Sequence, residues 1–242
     1  MPIDLLVIGS HPDDVELTCA GTVAKLVRQG RKVVIADMTE GEMGTRGTRE
    51  IRSKEAKEAA EVLGVSERRN LGIPDADIQC NRENISALAA LIRELRPKLL
   101  LIPYSHDRHP DHVHTHQLCK EAWFYSGLKK FQLVGQPAGS QEFRPDGCFE
   151  YMQWFEFQPS FIVDVSDTFE VKLKAIAAYK SQFHNPSSTE PETKLSRPHF
   201  LTMTETRSRH YGQKIGVEHG EPFYFEGSLG IGSFFDLKID RG

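Results

Sequence analysis

The sequence predicts an α/β fold built on an open, mostly parallel sheet flanked by helices, with a less regular C-terminal part completing the site. Strand-like and helix-like segments alternate over the first half of the chain, which is the rhythm of βαβ units. The first apolar run, at 5–8, is continuous, as expected of a strand buried on both faces. Glycine or proline closes several of the helical segments.

The elements of the first half follow from these patterns in order. Strands are predicted at 5–8, 32–38, 69–73 and 98–104. Helices are predicted at 15–29, 48–63, 84–96 and about 112–126. Gly30 and Gly64 stand where helix C-terminal caps favour glycine, and Pro97 ends the third helix.

The second half gives fewer regular patterns. Strands are predicted at 149–157 and 160–165, a helix opened by a capping box at 167–170 and running to about 183, and a final helix at 202–215. The segment 184–198 is rich in Pro, Ser and Thr and predicts a long loop, either a substrate lid or a mobile surface loop. We expect one domain over 1–242, with a core of about 1–135 and an extension of about 136–242.

Composition excludes several classes of function. The chain has 242 residues and a net charge of −4, which argues against broad nucleic-acid binding. No apolar run approaches membrane-spanning length, so we expect no membrane association. The N-terminus has no basic region before its apolar run, so we expect no signal peptide and a cytoplasmic location. The four cysteines form no Cys-x-x-Cys pair and predict reduced thiols.

Two clusters of histidine and carboxylate follow predicted strands. His11, Asp13 and Asp14 come directly after the first strand. His109, Asp111 and His112 follow the strand at 98–104. Because the loops that leave parallel strands share one edge of the sheet, the two clusters are expected to meet across a crevice.

The clusters together supply the ligands of a catalytic metal site, which uses three protein ligands and leaves a position open. His11 and Asp14 are three residues apart and can point to one side of a helical turn, and His112 can supply the third ligand. Zn²⁺ suits this ligand set, and Fe²⁺ also accepts it. The alternative is that Asp13 or Asp14 merely caps the helix that follows. Two separate clusters are harder to explain by caps.

The remaining members of the clusters are candidates for proton transfer. Asp13, oriented away from its neighbours, is the candidate general base. His109 would face the developing oxyanion or the leaving nitrogen, and Asp111 could fix its tautomer and favour its charged form. The other histidines of this loop, His106 and His114 among them, are expected to be ordinary surface residues.

Three arginines lie in or just after a glycine-rich loop at 39–48 that is expected to approach a ligand closely. Arg46, Arg49 and Arg52 could bind an anionic substrate, because guanidinium matches carboxylate geometry. The alternative is a solvated helix face paired with Glu50 and Glu55. The loop matches neither a Rossmann nor a P-loop glycine spacing, so no nucleotide site is predicted.

The sequence resembles the LmbE-like, or PIG-L-type, zinc N-deacetylases over most of its length. The stretch GSHPDDVE at 9–16 is similar to the first signature of that family, and RHPDH at 108–112 to the second. The resemblance implies a Rossmann-like fold and removal of N-acetyl groups from glucosamine-containing substrates. It also implies that His11, Asp14 and His112 bind zinc and that Asp13 is the general base. By the same resemblance His109 stabilises the tetrahedral intermediate and protonates the leaving amine, with Asp111 as its supporting carboxylate. Arg52 is implied to contact the substrate.

Within the family the chain is most similar to the bacillithiol-biosynthesis branch. The similar stretches are GTRGT at 44–48, NLGIPD at 70–75, PSFIVDV at 159–165, YKSQF at 179–183 and SRPHF at 196–200. That branch converts N-acetylglucosaminyl-malate to glucosaminyl-malate and acetate, so the resemblance implies a small anionic substrate, one Zn²⁺ per chain and a homo-oligomer such as a hexamer. Phe200 stands where some relatives have a mobile tyrosine, and His199 is a candidate replacement.

Three alternatives stay open at this point. The substrate could be another N-acetylglucosaminide, including a chitooligosaccharide. The enzyme could instead cleave the amide of a bacillithiol conjugate. The chain could also be a metal-binding protein without activity, although such a protein needs no spare base or acid.

Overall fold

A seven-stranded sheet with the order β3-β2-β1-β4-β5-β7-β6 organises the computed structural model, which describes residues 2–135 and 141–237. The strands are β1 (Leu5–Gly9), β2 (Val33–Asp37), β3 (Glu67–Asn70), β4 (Leu99–Pro103), β5 (Gly147–Tyr151), β6 (Phe161–Asp164) and β7 (Gly220–Tyr224). The strands from β3 to β5 are parallel, and β7 runs antiparallel to both β5 and β6. The predicted α/β fold with a mostly parallel sheet is therefore confirmed.

Helices cover both faces of this sheet. They are α1 (Asp14–Thr18), α2 (Ala20–Arg28), α3 (Arg49–Leu63), α4 (Arg82–Leu95), α5 (Pro110–Ser126), α6 (Phe169–Ala177) and α7 (Phe200–Gln213), and a short 3-10 helix lies at Phe234–Asp236. No helix in the described part of the chain is long and apolar enough to span a membrane.

The continuous apolar run of β1 is explained by its burial on two sides. Leu6 and Ile8 belong to the core that includes residues of α4 and α5. Leu5 and Val7 belong to the core on the other face, with residues of α2, α3 and α6. Because successive side chains of a strand point to opposite faces, both cores require apolar residues at every position of this strand.

The first half departs from prediction at two places. The helix predicted at 15–29 is interrupted at Cys19, which separates α1 from α2. There the Glu221 carboxylate of β7 accepts hydrogen bonds from the backbone N–H groups of Gly21 and Thr22, so a distant strand caps the start of α2. Strand β3 begins two residues before the predicted 69–73, because this edge strand pairs through polar residues that carry no apolar pattern.

The second half departs further. The strand predicted at 149–157 stops at Tyr151, and the helix predicted to about 183 ends at Ala177. The expected capping box is absent: Thr168 is the N-cap residue without a side-chain cap, and the Asp167 carboxylate pairs with Lys25. Strand β7 was not predicted, since its sequence, GEPFY, contains glycine and proline. The domain division predicted near 135 adjoins residues 136–140, which lie outside the described residues.

Candidate active site

The two polar clusters meet because β1 and β4 are parallel neighbours at the switch point of the sheet. The first loop, at 10–13, leads from β1 into α1, and the second, at 104–109, leads from β4 into α5. Both loops open onto a cavity of about 1100 Å³. Its lining includes six of the residues singled out from the sequence: His11, Asp13, Asp14, Arg52, His109 and His112. Asp111, Arg46 and Arg49 are not part of the described lining.

His11, Asp14 and His112 present three donor atoms that lie within 4.8 Å of one another. The Nε2 atom of His112 lies 3.3 Å from Asp14 Oδ1, and the Nδ1 atom of His11 lies 3.5 Å from Asp14 Oδ2. Two imidazoles and one carboxylate are a donor set that suits Zn²⁺, and Fe²⁺ as well.

The outward-facing nitrogens of both imidazoles end on carboxylates. His11 Nε2 lies 3.0 Å from Asp75 Oδ1 and 3.2 Å from Asp111 Oδ2. His112 Nδ1 lies 2.8 Å from Asp107 Oδ1. Histidines that bind a metal usually donate their second ring nitrogen in this way, which fixes the tautomer and leaves the other nitrogen for the ion. The residues present therefore fit a divalent metal.

A second group of donors, His11, His109 and Asp111, is equally compact. Its carboxylate is already engaged, because Asp111 Oδ2 accepts a hydrogen bond from the Ala76 N–H and contacts His11 Nε2. The first group is the better metal site, since each of its imidazoles has an outer carboxylate partner and its inner nitrogen faces Asp14.

Asp75 and Asp107 were not singled out from the sequence. Asp75 follows β3, so the rule that brought the first two clusters to one sheet edge also applies to it. Asp107 lies two residues before His109, and its Oδ1 accepts the His109 N–H at 3.0 Å. A search for carboxylates after every predicted strand would have found both.

Replacing Asp107 by asparagine is expected to weaken metal binding about 10–100-fold, the usual cost of losing an outer partner of a ligating histidine. A competition titration against a chromogenic chelator measures this affinity. Asp77→Asn is the control, because Asp77 is exposed and its carboxylate contacts the side chain of Gln79. If the two variants bind the metal with equal affinity, Asp107 does not support the metal site.

Asp13 occupies a strained position at the start of α1. Its φ is 116°, a left-handed conformation that residues other than glycine rarely adopt, and its side chain makes no cap hydrogen bond to the helix. The alternative that Asp13 is a simple helix cap is therefore wrong. Asp14 instead accepts the backbone N–H groups of Ser10 and His11.

One oxygen of the Asp13 carboxylate is held and the other is free. Arg52 Nη2 lies 3.3 Å from Oδ2, whereas Oδ1 has no hydrogen-bond partner among the described residues. Burial raises the pKa of Asp13 to about 7, and the charge of Arg52 opposes that rise. A carboxyl group with a pKa near neutrality, facing a cavity, can both accept and return a proton.

His109 lies beside the two candidate histidine ligands: its ring centroid is 4.8 Å from those of His11 and His112, which are 5.6 Å from each other. Its Nδ1 accepts the backbone N–H of Asp111, so in the neutral ring the proton is on Nε2. Burial and the neighbouring His11 and His112 hold the pKa of His109 below its usual value, although Asp111 opposes this. The expectation that the Asp111 carboxylate orients His109 is corrected: the backbone of Asp111 does so, and its carboxylate contacts His11.

Arg52 is buried and turned toward the protein. It donates to the carbonyl oxygens of Pro12 and Gly41, at 2.6 and 2.8 Å. Gly41 has a φ of 68°, and a Cβ at this position would lie 1.9 Å from Arg52 Nη1. The glycine-rich loop thus approaches this arginine closely, and Met43, Gly44 and Thr45 of the same loop line the cavity, so its predicted approach to a ligand stays a prediction.

The other two arginines lie elsewhere. The Nε atom of Arg46 is 3.6 Å from Glu190 Oε2, and the exposed Arg49 pairs with Glu40. Their predicted contact with an anionic substrate stays a prediction, because neither side chain lines the cavity as described.

The C-terminal part supplies another wall of the cavity. Thr193, Lys194 and Leu195, from the predicted long loop, line it, as do His199 and Phe200 at the start of α7. Gln153, which follows β5, places its side-chain amide 3.2 Å from His112 Nε2 and is a further neighbour of the metal site that sequence patterns did not indicate.

Comparison with known proteins agrees with this architecture. The family model PIG-L, described as GlcNAc-PI de-N-acetylase, matches residues 6–123. The diacetylchitobiose deacetylase of Thermococcus kodakarensis is 32% identical over 231 residues, which cover 91% of this chain and 82% of that protein. Two solved structures are also similar. The conserved protein TT1542 of Thermus thermophilus has a TM-score of 0.84 and 36% identity, covering 95% of this chain and 98% of that one. The N,N'-diacetylchitobiose deacetylase of Pyrococcus horikoshii has a TM-score of 0.80 and 30% identity, covering 92% and 83%.

Proposed function

Because this chain belongs to the PIG-L, or LmbE-like, family of deacetylases, we propose that it removes the N-acetyl group of N-acetylglucosaminyl-malate, giving glucosaminyl-malate and acetate. The activity class is hydrolysis of an amide C–N bond. The observation that carries the proposal is the meeting of two histidine-carboxylate loops around one cavity, lined also by the buried residue Asp13, of whose carboxylate oxygens only Oδ2 is engaged by the described residues. The malate substrate is supported by the branch-like stretches of the sequence.

In this proposal His11, Asp14 and His112 hold one divalent metal, Zn²⁺ with Fe²⁺ as the alternative. The ion, when bound, lowers the pKa of water and polarises the acetyl carbonyl. Asp75 and Asp111 position His11, and Asp107 positions His112, through the hydrogen bonds to their outer nitrogens.

Asp13 is the general base of the proposed reaction. Its Oδ1 takes a proton from the attacking water as the new C–O bond forms at the acetyl carbon. His109 donates its Nε2–H to the developing oxyanion, since its Nδ1 is engaged by the Asp111 N–H. When the C–N bond breaks, the proton taken by Asp13 passes to the leaving nitrogen. In this proposal Asp13 therefore takes the place of His109, which the resemblance implied as the acid, because Nδ1 of His109 is engaged by a backbone N–H and its pKa is held below the usual value. Arg52 holds Asp13 Oδ2 in place through this sequence.

Two other substrates compete with N-acetylglucosaminyl-malate. The names of the Thermococcus and Pyrococcus relatives point to diacetylchitobiose. An amide conjugate of bacillithiol would use the same groups. A protein that only binds a metal is less well supported, since it would not require a strained, buried Asp13 beside the site.

Amine release from N-acetylglucosaminyl-malate tests the proposal. The purified protein is assayed as isolated, after chelation, and after Zn²⁺ is added back, beside diacetylchitobiose at equal concentration. We expect release that chelation abolishes and Zn²⁺ restores, with a kcat/KM at least about tenfold above that for diacetylchitobiose. Amine release from diacetylchitobiose alone would mean that the proposed reaction is correct and the proposed substrate is wrong. If metal-loaded protein releases amine from none of the amides tested, both the proposed substrate and the proposed reaction are wrong.

A further inference from the structure

We propose that Arg108 and Lys194, which lie over the ring of Trp154, form a subsite for an anionic group, carboxylate or phosphate, on the part of the substrate beyond the glucosamine ring. All three residues line the cavity that contains the candidate metal site. The inference deepens the proposed function and rests on it for the identity of the sugar.

The two cations are exposed side chains that lie over the indole ring, and no carboxylate among the described residues pairs with them. Lys194 Nζ lies 3.5 Å from the centre of the Trp154 ring, and Arg108 Cζ lies 4.9 Å from it. Across residues 2–135 and 141–237, neither side chain forms an ion pair with a carboxylate, while Arg52 pairs with Asp13 in the same cavity. Cation–π contacts hold such side chains in place without neutralising them.

The surrounding charges make this part of the cavity wall positive. Desolvation, followed by the charges of Arg108 and Arg197, lowers the pKa of the Lys194 ammonium. Arg197 itself pairs with Glu192 at 3.2 Å. Glu156 also lines the cavity and opposes the positive potential. An anion between Arg108 and Lys194 would relieve the repulsion between the two cations, which is the arrangement expected of an anion site.

Trp154 connects this subsite to the reacting centre. Its backbone N–H donates to Asp107 Oδ2 at 2.7 Å, and the other oxygen of Asp107 contacts His112 Nδ1 at 2.8 Å. Arg207 donates to the carbonyl oxygen of Trp154. The backbone of Trp154 is therefore held at a fixed place relative to the metal ligands, which allows an anion bound beside this residue to orient the substrate.

The position of Lys194 also argues against a neutral sugar at this place. A sugar that stacked on the face of Trp154 over which Lys194 lies would have to displace that side chain. The subsite thus favours a charged aglycone over the second sugar of a neutral disaccharide.

The double variant Arg108→Gln/Lys194→Gln tests the subsite. We expect the KM for N-acetylglucosaminyl-malate to rise about tenfold, because two charge-assisted contacts are lost. The KM for neutral diacetylchitobiose is expected to change less than about twofold. N-acetylglucosamine 1-phosphate is tested in the same way, to show whether the subsite binds a phosphate or a carboxylate. Lys214→Gln is the matched control, since Lys214 lies over Tyr211 and outside the described lining of the cavity.

Equal changes in KM for charged and neutral substrates, or no change for the charged ones, would overturn the subsite. A binding measurement separates this result from failure of the proposed reaction. Calorimetric titration of the metal-loaded protein with glucosaminyl-malate, beside methyl glucosaminide, needs no turnover. Tighter binding of the charged ligand, lost in the double variant, would support the subsite even if N-acetylglucosaminyl-malate is not hydrolysed, and equal binding of the two ligands would count against it.

Discussion

Asp13→Asn is expected to lower kcat by about 10²–10⁴-fold, the range for loss of a positioned general base. The metal content should stay at the wild-type level, because the three candidate ligands are untouched. Asparagine is nearly the same size as aspartate and tolerates the left-handed conformation that φ 116° imposes, so the fold should be retained. Single-turnover kinetics and metal analysis on the same preparation measure the two quantities.

The matched control for this variant is Asp77→Asn, which makes the same chemical change at an exposed site. It should leave kcat and metal content as they are. Asp13→Ala should in addition lower the thermal midpoint, since alanine is less tolerant of positive φ than asparagine. Wild-type turnover by Asp13→Asn would end the proposed role of Asp13 as base.

The first half of the fold was predictable because its patterns are local. Gly64 ends α3 at a φ of 70°, as the sequence indicated, and Thr48 caps the start of that helix with its hydroxyl. Strand β1 is predicted from a continuous apolar run in the sequence, because both cores require apolar residues along this strand. The features that were predicted wrongly depend on contacts with residues far away in the sequence. The break at Cys19 is stabilised by Glu221, 200 residues beyond Gly21 in the chain, and no local pattern encodes that contact.

The candidate site shows the same difference between what local sequence patterns predict and what depends on the folded chain. His11, Asp14 and His112 were expected to converge because strand order places two loops at one edge, and the structure brings them together. The outer carboxylates Asp75 and Asp107 also lie in loops after predicted strands, but which imidazole each one contacts depends on loop geometry that only the folded chain defines.

Candidate residues chosen from their sequence spacing alone were placed in the cavity less accurately than those chosen from the order of the strands. Arg46, Arg49 and Arg52 share a spacing of three, but only Arg52 lines the cavity. Two of the cations that line the cavity without an ion-pair partner among the described residues, Arg108 and Lys194, are 86 residues apart in the sequence. Trp154, which holds both, belongs to a segment wrongly predicted as strand.

The largest effect on the metal is expected from His112→Ala. Removing an outer partner of a ligating histidine costs about 10–100-fold in affinity, so removal of the ligand itself should cost more than about 100-fold. The loss of the imidazole also leaves Asp107 Oδ1 without its ring partner and Asp14 Oδ1 without its contact at 3.3 Å. Activity should fall with metal content. His116→Ala, one turn later on α5, is the control, since His116 contacts the Pro103 carbonyl and does not line the described cavity.

His109→Ala completes this test because it separates the two groups of donors that the structure brings together. If His11, Asp14 and His112 hold the ion, His109→Ala should keep the wild-type metal affinity while its kcat falls about 10²–10³-fold, the usual cost of losing one oxyanion donor. If His11, His109 and Asp111 hold it, the affinities of the two variants should be reversed, with His112→Ala retaining the metal. Metal titrations of both variants under the same conditions therefore decide which imidazole binds the ion. The outer hydrogen bond from His112 Nδ1 to Asp107 favours the first outcome, because the corresponding nitrogen of His109 accepts only a backbone N–H.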